Sequence, residues 1–287
     1  MATREMAVAG TRMSGRSHSV KGTTMSRFAK FVFERPNIHR GVVIVVFFVL
    51  WELVARDANP FFMTYPSAIL AAFQKMIASG ELATALLASM VPFAIGMAIS
   101  IVVGFVIGVV IGQWWYWERT LDPFIDALYA IPRVALIPLV ILWAGLGVTG
   151  KVTILVSLAV FPVIINTYSG IRDVRGAYLE VARAFGATES QIFFKVTLPA
   201  IVPFVMAGIR MAVGLAIVGT VIAEFFTALT GLGGMIVTYA NVFATDKVFV
   251  PIIVVALMGV GMTELVRLVE KRFSRWRVLE RQHTNAG

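Results

Sequence analysis

From Leu82 to Trp117 the chain runs through 36 residues without one Asp, Glu, Lys, Arg or His. A spanning helix needs about 20 consecutive, mostly apolar residues, so this stretch alone can cross a bilayer with length to spare. The run is continuous, with no polar–apolar alternation, which excludes a barrel strand and leaves an apolar helix. Composition extends the point to the whole chain: of 287 residues, 59% are apolar and 14% charged. Average soluble domains run nearer 45–50% apolar and about 25% charged, and a soluble fold of this size cannot hide the surplus. Soluble enzymes, disordered chains and collagen-like fibres are excluded. Cysteine is absent, so there is no disulfide or thiol chemistry. His18, His39 and His283 lie in the tails without metal-ligand spacing, and no metal site is expected.

The expected fold is an all-α integral membrane protein with six transmembrane helices. The spans fall near 40–56, 89–112, 122–145, 152–171, 199–227 and 248–268. The third is broken by Pro132 and Pro138, and Pro199 opens the fifth. Residues 1–40 form a basic, disordered N-tail; 41–277 form the membrane domain; 278–287 form the C-tail. Between spans one and two, Pro66-Ser67 starts a small helix. Residues 228–247 make a short interfacial or re-entrant turn.

Charge sets the orientation. The net charge of +9 comes from 25 Lys+Arg against 16 Asp+Glu. With both tails inside, the cytoplasmic segments hold 19 Lys/Arg and the outer loops four: Arg56, Lys75, Lys151 and Lys247. That asymmetry obeys the positive-inside rule, places both termini in the cytoplasm and leaves no need for a nucleic-acid partner. The Trp-rich segment 113–120 reads as an interfacial aromatic belt.

Two spans carry small residues at four-residue intervals. The second has Gly96, Ser100, Gly104, Gly108 and Gly112. In lipid there is little hydrophobic drive between helices, so such a stripe serves close helix packing. The fifth has Gly208, Ala212, Ala216 and Thr220, continued by Glu224; packing and pathway lining both stay open for it. Charges at membrane depth face protein or water. Arg133, Arg210 and Glu224 are such charges, either structural partners of neighbouring helices or pathway residues. Asp126 is a candidate partner for Arg133. Arg210 and Glu224 lie 14 residues apart, about 21 Å along a helix, and cannot pair with each other.

The segment 171–199 has the grammar of two short helices. The first, near 176–185, ends at Gly186, a left-handed C-cap. Thr188 and Gln191 then form a capping box for the second. Tyr178, Leu179, Val181, Ala182 and Phe185 spread apolar surface over more than one face, which calls for a partner.

Glu180-Val181-Ala182, three residues and Gly186, followed by ATESQIFFKVTLPAIVPFVMAGIRMA, resemble the cytoplasmic signature of permease subunits of binding-protein-dependent ABC importers. YPSAILAAFQKMIASGEL, VIAEFF, TGLGGMI and RLVEKRFSRWR place the likeness nearer the branch handling sulfonates, taurine and nitrate, over about residues 60–277. Val181 departs from the usual Ala. The resemblance implies a multi-pass bacterial inner-membrane subunit, a homodimer, that is not itself an enzyme. It implies that Tyr178, Leu179, Glu180, Val181, Ala182, Phe185, Gly186 and Ala187 couple to a separate ATP-binding subunit, present in two copies. ATP and Mg belong to that partner, and no cofactor is held by this chain. A periplasmic or lipid-anchored solute-binding protein is the other partner, beside membrane lipid. The alternative is a self-contained secondary transporter or channel with a midplane site at Arg133, Arg210 and Glu224. Gly145–Lys151 matches the G-x4-G-K spacing of a phosphate-binding loop, but Val152 stands where Ser or Thr is required, and a nucleotide site there is rejected.

Overall fold

The computed structural model describes residues 36–273 except 60, 175, 228 and 229. The expected basic tail up to residue 35 and the C-tail 278–287 lie outside the described residues, as does the Asp126 side chain. Among the described residues all regular structure is helical. The chain divides into two compact units after Trp51. In the first, the apolar part of α1 (Pro36–Arg56) stacks Phe48 on Trp51, with ring centroids 6.0 Å apart.

The second unit contains α2 (Pro66–Ala78), α3 (Glu81–Gln113), α4 (Trp115–Ala130), α5 (Ile137–Ala144) and α6 (Val148–Asp173). It continues with α7 (Gly176–Ala184), α8 (Glu189–Ile192), α9 (Leu198–Thr227), α10 (Gly231–Asn241) and α11 (Thr245–Phe273). Among the described residues, four helical stretches are long and apolar enough to cross a membrane: Glu81–Gln113, Val148–Asp173, Glu189–Thr227 and Thr245–Arg272. They cover the expected spans two, four, five and six.

The expected third span is different. Arg119–Ala130 and Arg133–Ala144 meet at 82°, so the segment is a bent pair rather than one helix. The break is at Pro132, and Ile131 before it is extended with ψ 130°, as the ring of a following proline demands. Pro138 breaks nothing; it sits in the first turn of α5, where a missing N–H is harmless. Pro199 is also displaced from its expected place. The helix runs from Glu189 to Thr227 without interruption, through a π turn at Phe193–Thr197. Leu198 N–H bonds back to the Phe193 carbonyl, so the ladder shifts register beside the residue that has no N–H to give. Where an interfacial or re-entrant turn is expected, the stretch after Thr230 forms an 11-residue helix, α10, whose first five residues are buried.

Glu52, the charge in the first apolar run, has a local task. Its carboxylate accepts from Ser67 N–H at 3.0 Å and Ser67 Oγ at 2.6 Å. It thereby caps α2, whose own N-cap Tyr65 supplies no side-chain bond.

α6 is the centre of the unit. On one side it meets α3 along the small-residue stripe. A Cβ at Gly96 would stand 2.6 Å from Leu155, at Gly104 2.7 Å from Val163, at Gly108 2.6 Å from Thr167 and at Gly112 2.9 Å from Ile171. The contacted residues on α6 recur mostly every fourth position, so two i+4 rows lie in register, and Ser100 is fully buried in the same row. On the other side α9 packs on α6, with Gly208 against the Pro162 carbonyl and the Asn166 side chain. Ala212, Ala216 and Thr220 continue that contact row and are buried. Close approach multiplies van der Waals contacts, the available source of helix association in lipid. Phe93, Met97, Leu155, Val163, Val213 and Met258 fill the core between α3, α6, α9 and α11.

Candidate functional site: the two ends of the bundle

α6 enters the bundle at Val148 and leaves at Asp173, 26 residues, or about 39 Å, later. Beyond its far end stands the helix–turn–helix. α7 closes with a two-bond C-cap: Ala187 N–H to the Ala182 carbonyl, and Gly186 N–H to that of Arg183. This geometry needs a left-handed residue, and Gly186 has φ +73°. The Thr188–Gln191 capping box follows, with Thr188 N–H donating to Gln191 Oε1 at 2.9 Å and Gln191 N–H to Thr188 Oγ1 at 3.3 Å. Arg183 and Glu189 pair across the turn at 3.3 Å, and buried Ile192 anchors α8. The turn is therefore fixed by backbone bonds, while its side chains face outward. Phe185 is 88% exposed, Val181 55% and Tyr178 47%. Glu180 is exposed, and Leu179, Ala182 and Ala187 are half-buried.

The other end holds a buried polar cluster. Glu224, near the end of α9, is fully buried, and Lys151, in the first turn of α6, is 4% exposed. Their charged atoms stand 3.5 Å apart. Ser89 Oγ of α3 donates to Glu224 Oε1 at 2.7 Å and accepts from Leu232 N–H at 2.9 Å. Gly233 N–H donates to Glu224 Oε2 at 2.8 Å. Lys151 Nζ donates to the Thr230 carbonyl at 3.2 Å and to Thr230 Oγ1 at 2.9 Å. The carboxylate thus occupies the N-terminus of α10, where free N–H groups and the helix dipole favour an anion. Gly231 and Gly233 of the TGLGG run are required by this fit. Gly231 has φ +87°, and a Cβ on it would lie 2.1 Å from Glu224 Oε1.

Lys151 is a residue that sequence reasoning missed. It belongs to the rejected phosphate-loop match and was counted among the outer-loop charges, whereas the structure buries it inside a helix. The glycines of that match make a tight turn between α5 and α6. Gly145 has φ +77°, and a Cβ at Gly150 would strike the Gly145 carbonyl oxygen at 2.1 Å. The signal lay in the pattern: a lone Lys at the head of an apolar run, and a lone Glu at the tail of another.

The remaining charges go elsewhere. Arg133 Nη2 donates to the Tyr129 carbonyl at 2.7 Å, and the guanidinium lies over the Tyr129 and Phe161 rings at 4.6 and 4.8 Å. Arg210 pairs with Glu270 of α11. Its side chain stays 44% exposed, and Met211 and Val218 on the same helix are exposed as well. Arg133, Arg210 and Glu224 are therefore not brought to one site. Near α10, Tyr239 bonds to Glu81 of α3, and burial together with that carboxylate pushes the phenol up to about 12.

Comparison with known proteins meets this geometry. Residues 100–275 match the family described as "Binding-protein-dependent transport system inner membrane component". SsuC of Bacillus subtilis (strain 168), whose name assigns it to aliphatic sulfonates transport, is 36% identical over 236 residues, 82% of this chain and 85% of SsuC. The riboflavin transport system permease protein RibX of Chloroflexus aurantiacus is 35% identical over 246 residues, 85% of this chain and 92% of RibX. The taurine transport system permease protein TauC of Escherichia coli (strain K12) is 32% identical over 157 residues, 54% of this chain and 57% of TauC. The matched region takes in both the helix–turn–helix and the residues of the buried cluster from Lys151 onward. The chain belongs to the binding-protein-dependent transport system inner-membrane family: it is a non-catalytic ABC-importer permease subunit, a multi-pass protein of the bacterial inner membrane.

Proposed function

We propose that this permease crosses the membrane six times, with α1 as the first span, the bent α4–α5 pair as the third and both termini cytoplasmic. Residues 1–40 and 278–287 are its cytoplasmic tails around a membrane domain of 41–277. The α7–α8 helix–turn–helix docks on a separate ATP-binding subunit, which holds ATP and Mg. Two permease copies and two ATPase copies complete the pump, and a periplasmic or lipid-anchored binding protein delivers solute to the end that carries α10. One observation carries the coupling assignment. A turn locked by a C-cap and a capping box presents Tyr178, Val181 and Phe185 outward from the end of a membrane-spanning helix. A rigid element passes a two-state movement onward, whereas a loose loop would absorb it.

The solute class is a small anionic solute of the sulfonate, taurine or nitrate kind. The names of SsuC and TauC support it, and so does Arg210, a cation that stays half-exposed while paired with Glu270 of α11. A charge at membrane depth pairs or faces water; Arg210 does the first through Glu270 and, by its remaining exposed surface, the second along the pathway. The test is co-purification with the ATPase followed by ATP-driven uptake in proteoliposomes. Wild type is expected to retain the ATPase and to take up an alkanesulfonate. Gly186→Asp should insert normally yet lose ATPase retention. Uptake by the permease alone, driven by an ion gradient, would overturn the assignment.

A further inference from the structure

The buried cluster joins four elements. α3 gives Ser89, α6 gives Lys151, α9 gives Glu224, and the start of α10 gives its N-cap Thr230 and the Leu232 and Gly233 amides. Glu224 presents no surface to a solute, and the left-handed Gly231 seals the carboxylate from the α10 side. We propose that Glu224, with Lys151 and Ser89, is a positioning clasp: it fixes α10 against three membrane helices and so sets the outer surface on which the binding protein acts.

The physical reason is the asymmetry of buried charge. A buried pair whose hydrogen bonds are satisfied holds its geometry, but removing one partner strands the other in a medium that cannot solvate it. The cluster therefore tolerates no partial opening. α10 and the ends of α3, α6 and α9 must move together as one body during the transport cycle. Short links leave α10 little independence, since Thr227 ends α9 and Gly231 starts α10. This inference rests on the proposed function for its transport consequence. The clasp itself is testable without it.

The decisive set is Glu224→Gln, Lys151→Met and the double variant, each assembled with the ATPase and normalised to folded complex by size exclusion. Each single substitution should lower binding-protein-stimulated ATPase and uptake by roughly ten-fold, leaving basal ATPase unchanged. The double variant removes both charges; the amide oxygen that Glu224→Gln supplies can still accept from Gly233 N–H, and its NH2 can donate to Ser89 Oγ, which reverses that one bond. This variant should return to within about three-fold of wild type, because the two effects are coupled. A double variant as poor as the singles would overturn the clasp in favour of charges that act on the solute. Stimulated and basal ATPase falling together would reduce the cluster to a stability role. Should the charge variants fail to fold, Ser89→Ala decides. It keeps both charges and should raise the binding-protein concentration needed for half-maximal stimulation, and an unchanged value would overturn the clasp. Hydrogen exchange on the purified permease alone separates the two readings. Amide protection in α10 should fall in each single variant and return in the double, whether or not an ATPase binds. Wild type without binding-protein stimulation would sink the proposed function and leave the exchange result to judge the clasp.

Discussion

The two ends of α6 use opposite chemistry. At one end, polar groups are buried and apolar groups surround them. Lys151, Glu224 and Ser89 have almost no exposed surface, and each is held by a named partner. At the other end, apolar groups are exposed and polar backbone holds the shape. Phe185, Val181 and Tyr178 stand out from a turn fixed by its own hydrogen bonds. The clasp is complete within the chain. The helix–turn–helix is complete as a shape but not as a surface. Substitution should separate the ends: the first fails through folding or positioning, the second through loss of a partner.

The largest effect belongs to Gly231→Ala. A left-handed backbone and a methyl 2.1 Å from Glu224 Oε1 cannot coexist with the clasp, and the expected loss is on the order of 3 kcal/mol. Thermal melting in detergent checks it, and a wild-type melting profile would break the contrast. Phe243, just past α10, has the opposite sign. It holds φ 56° without being glycine and is 56% exposed. Phe243→Gly should relieve about 1–2 kcal/mol of left-handed strain, read as a raised melting temperature. At the far end, Thr188→Ala removes the capping box and should destabilise by about 1 kcal/mol, visible as faster proteolysis within 176–197. Phe185→Ser sharpens the comparison most cleanly. An exposed side chain away from special contacts changes stability by within about 0.5 kcal/mol, yet ATPase retention on co-purification should be lost. If melting falls and retention persists, the two ends are not different in kind.

The features legible in the sequence are local ones. Gly186, Thr188 and Gln191 act within one turn, so spacing alone placed the C-cap and the capping box where the structure has them. The α3 stripe repeats every four residues, and that period is a property of the helix itself; only the helix it meets was open. Four apolar runs follow the same logic. In the third expected span only one of the two expected breaks is present, because two prolines look alike in a string. Pro132 falls after an extended residue and bends the chain, whereas Pro138 falls in a first turn and does not. The buried cluster was illegible for a different reason. Ser89 and Glu224 are 135 positions apart, and no local rule links them.

The amino-acid order by itself determined that this chain lives in a membrane, that its segments are helical and that a capped turn projects between two of them. These follow from hydrophobic length, from period and from bonds that close within a few residues. Only the tertiary structure decided where the scarce charges go. It put Glu224 with Lys151 under the first turn of α10, sent Arg210 to Glu270 and laid Arg133 against two aromatic rings. A charge in an apolar surrounding must find a partner in space, and the chain's order does not state which helices will be neighbours.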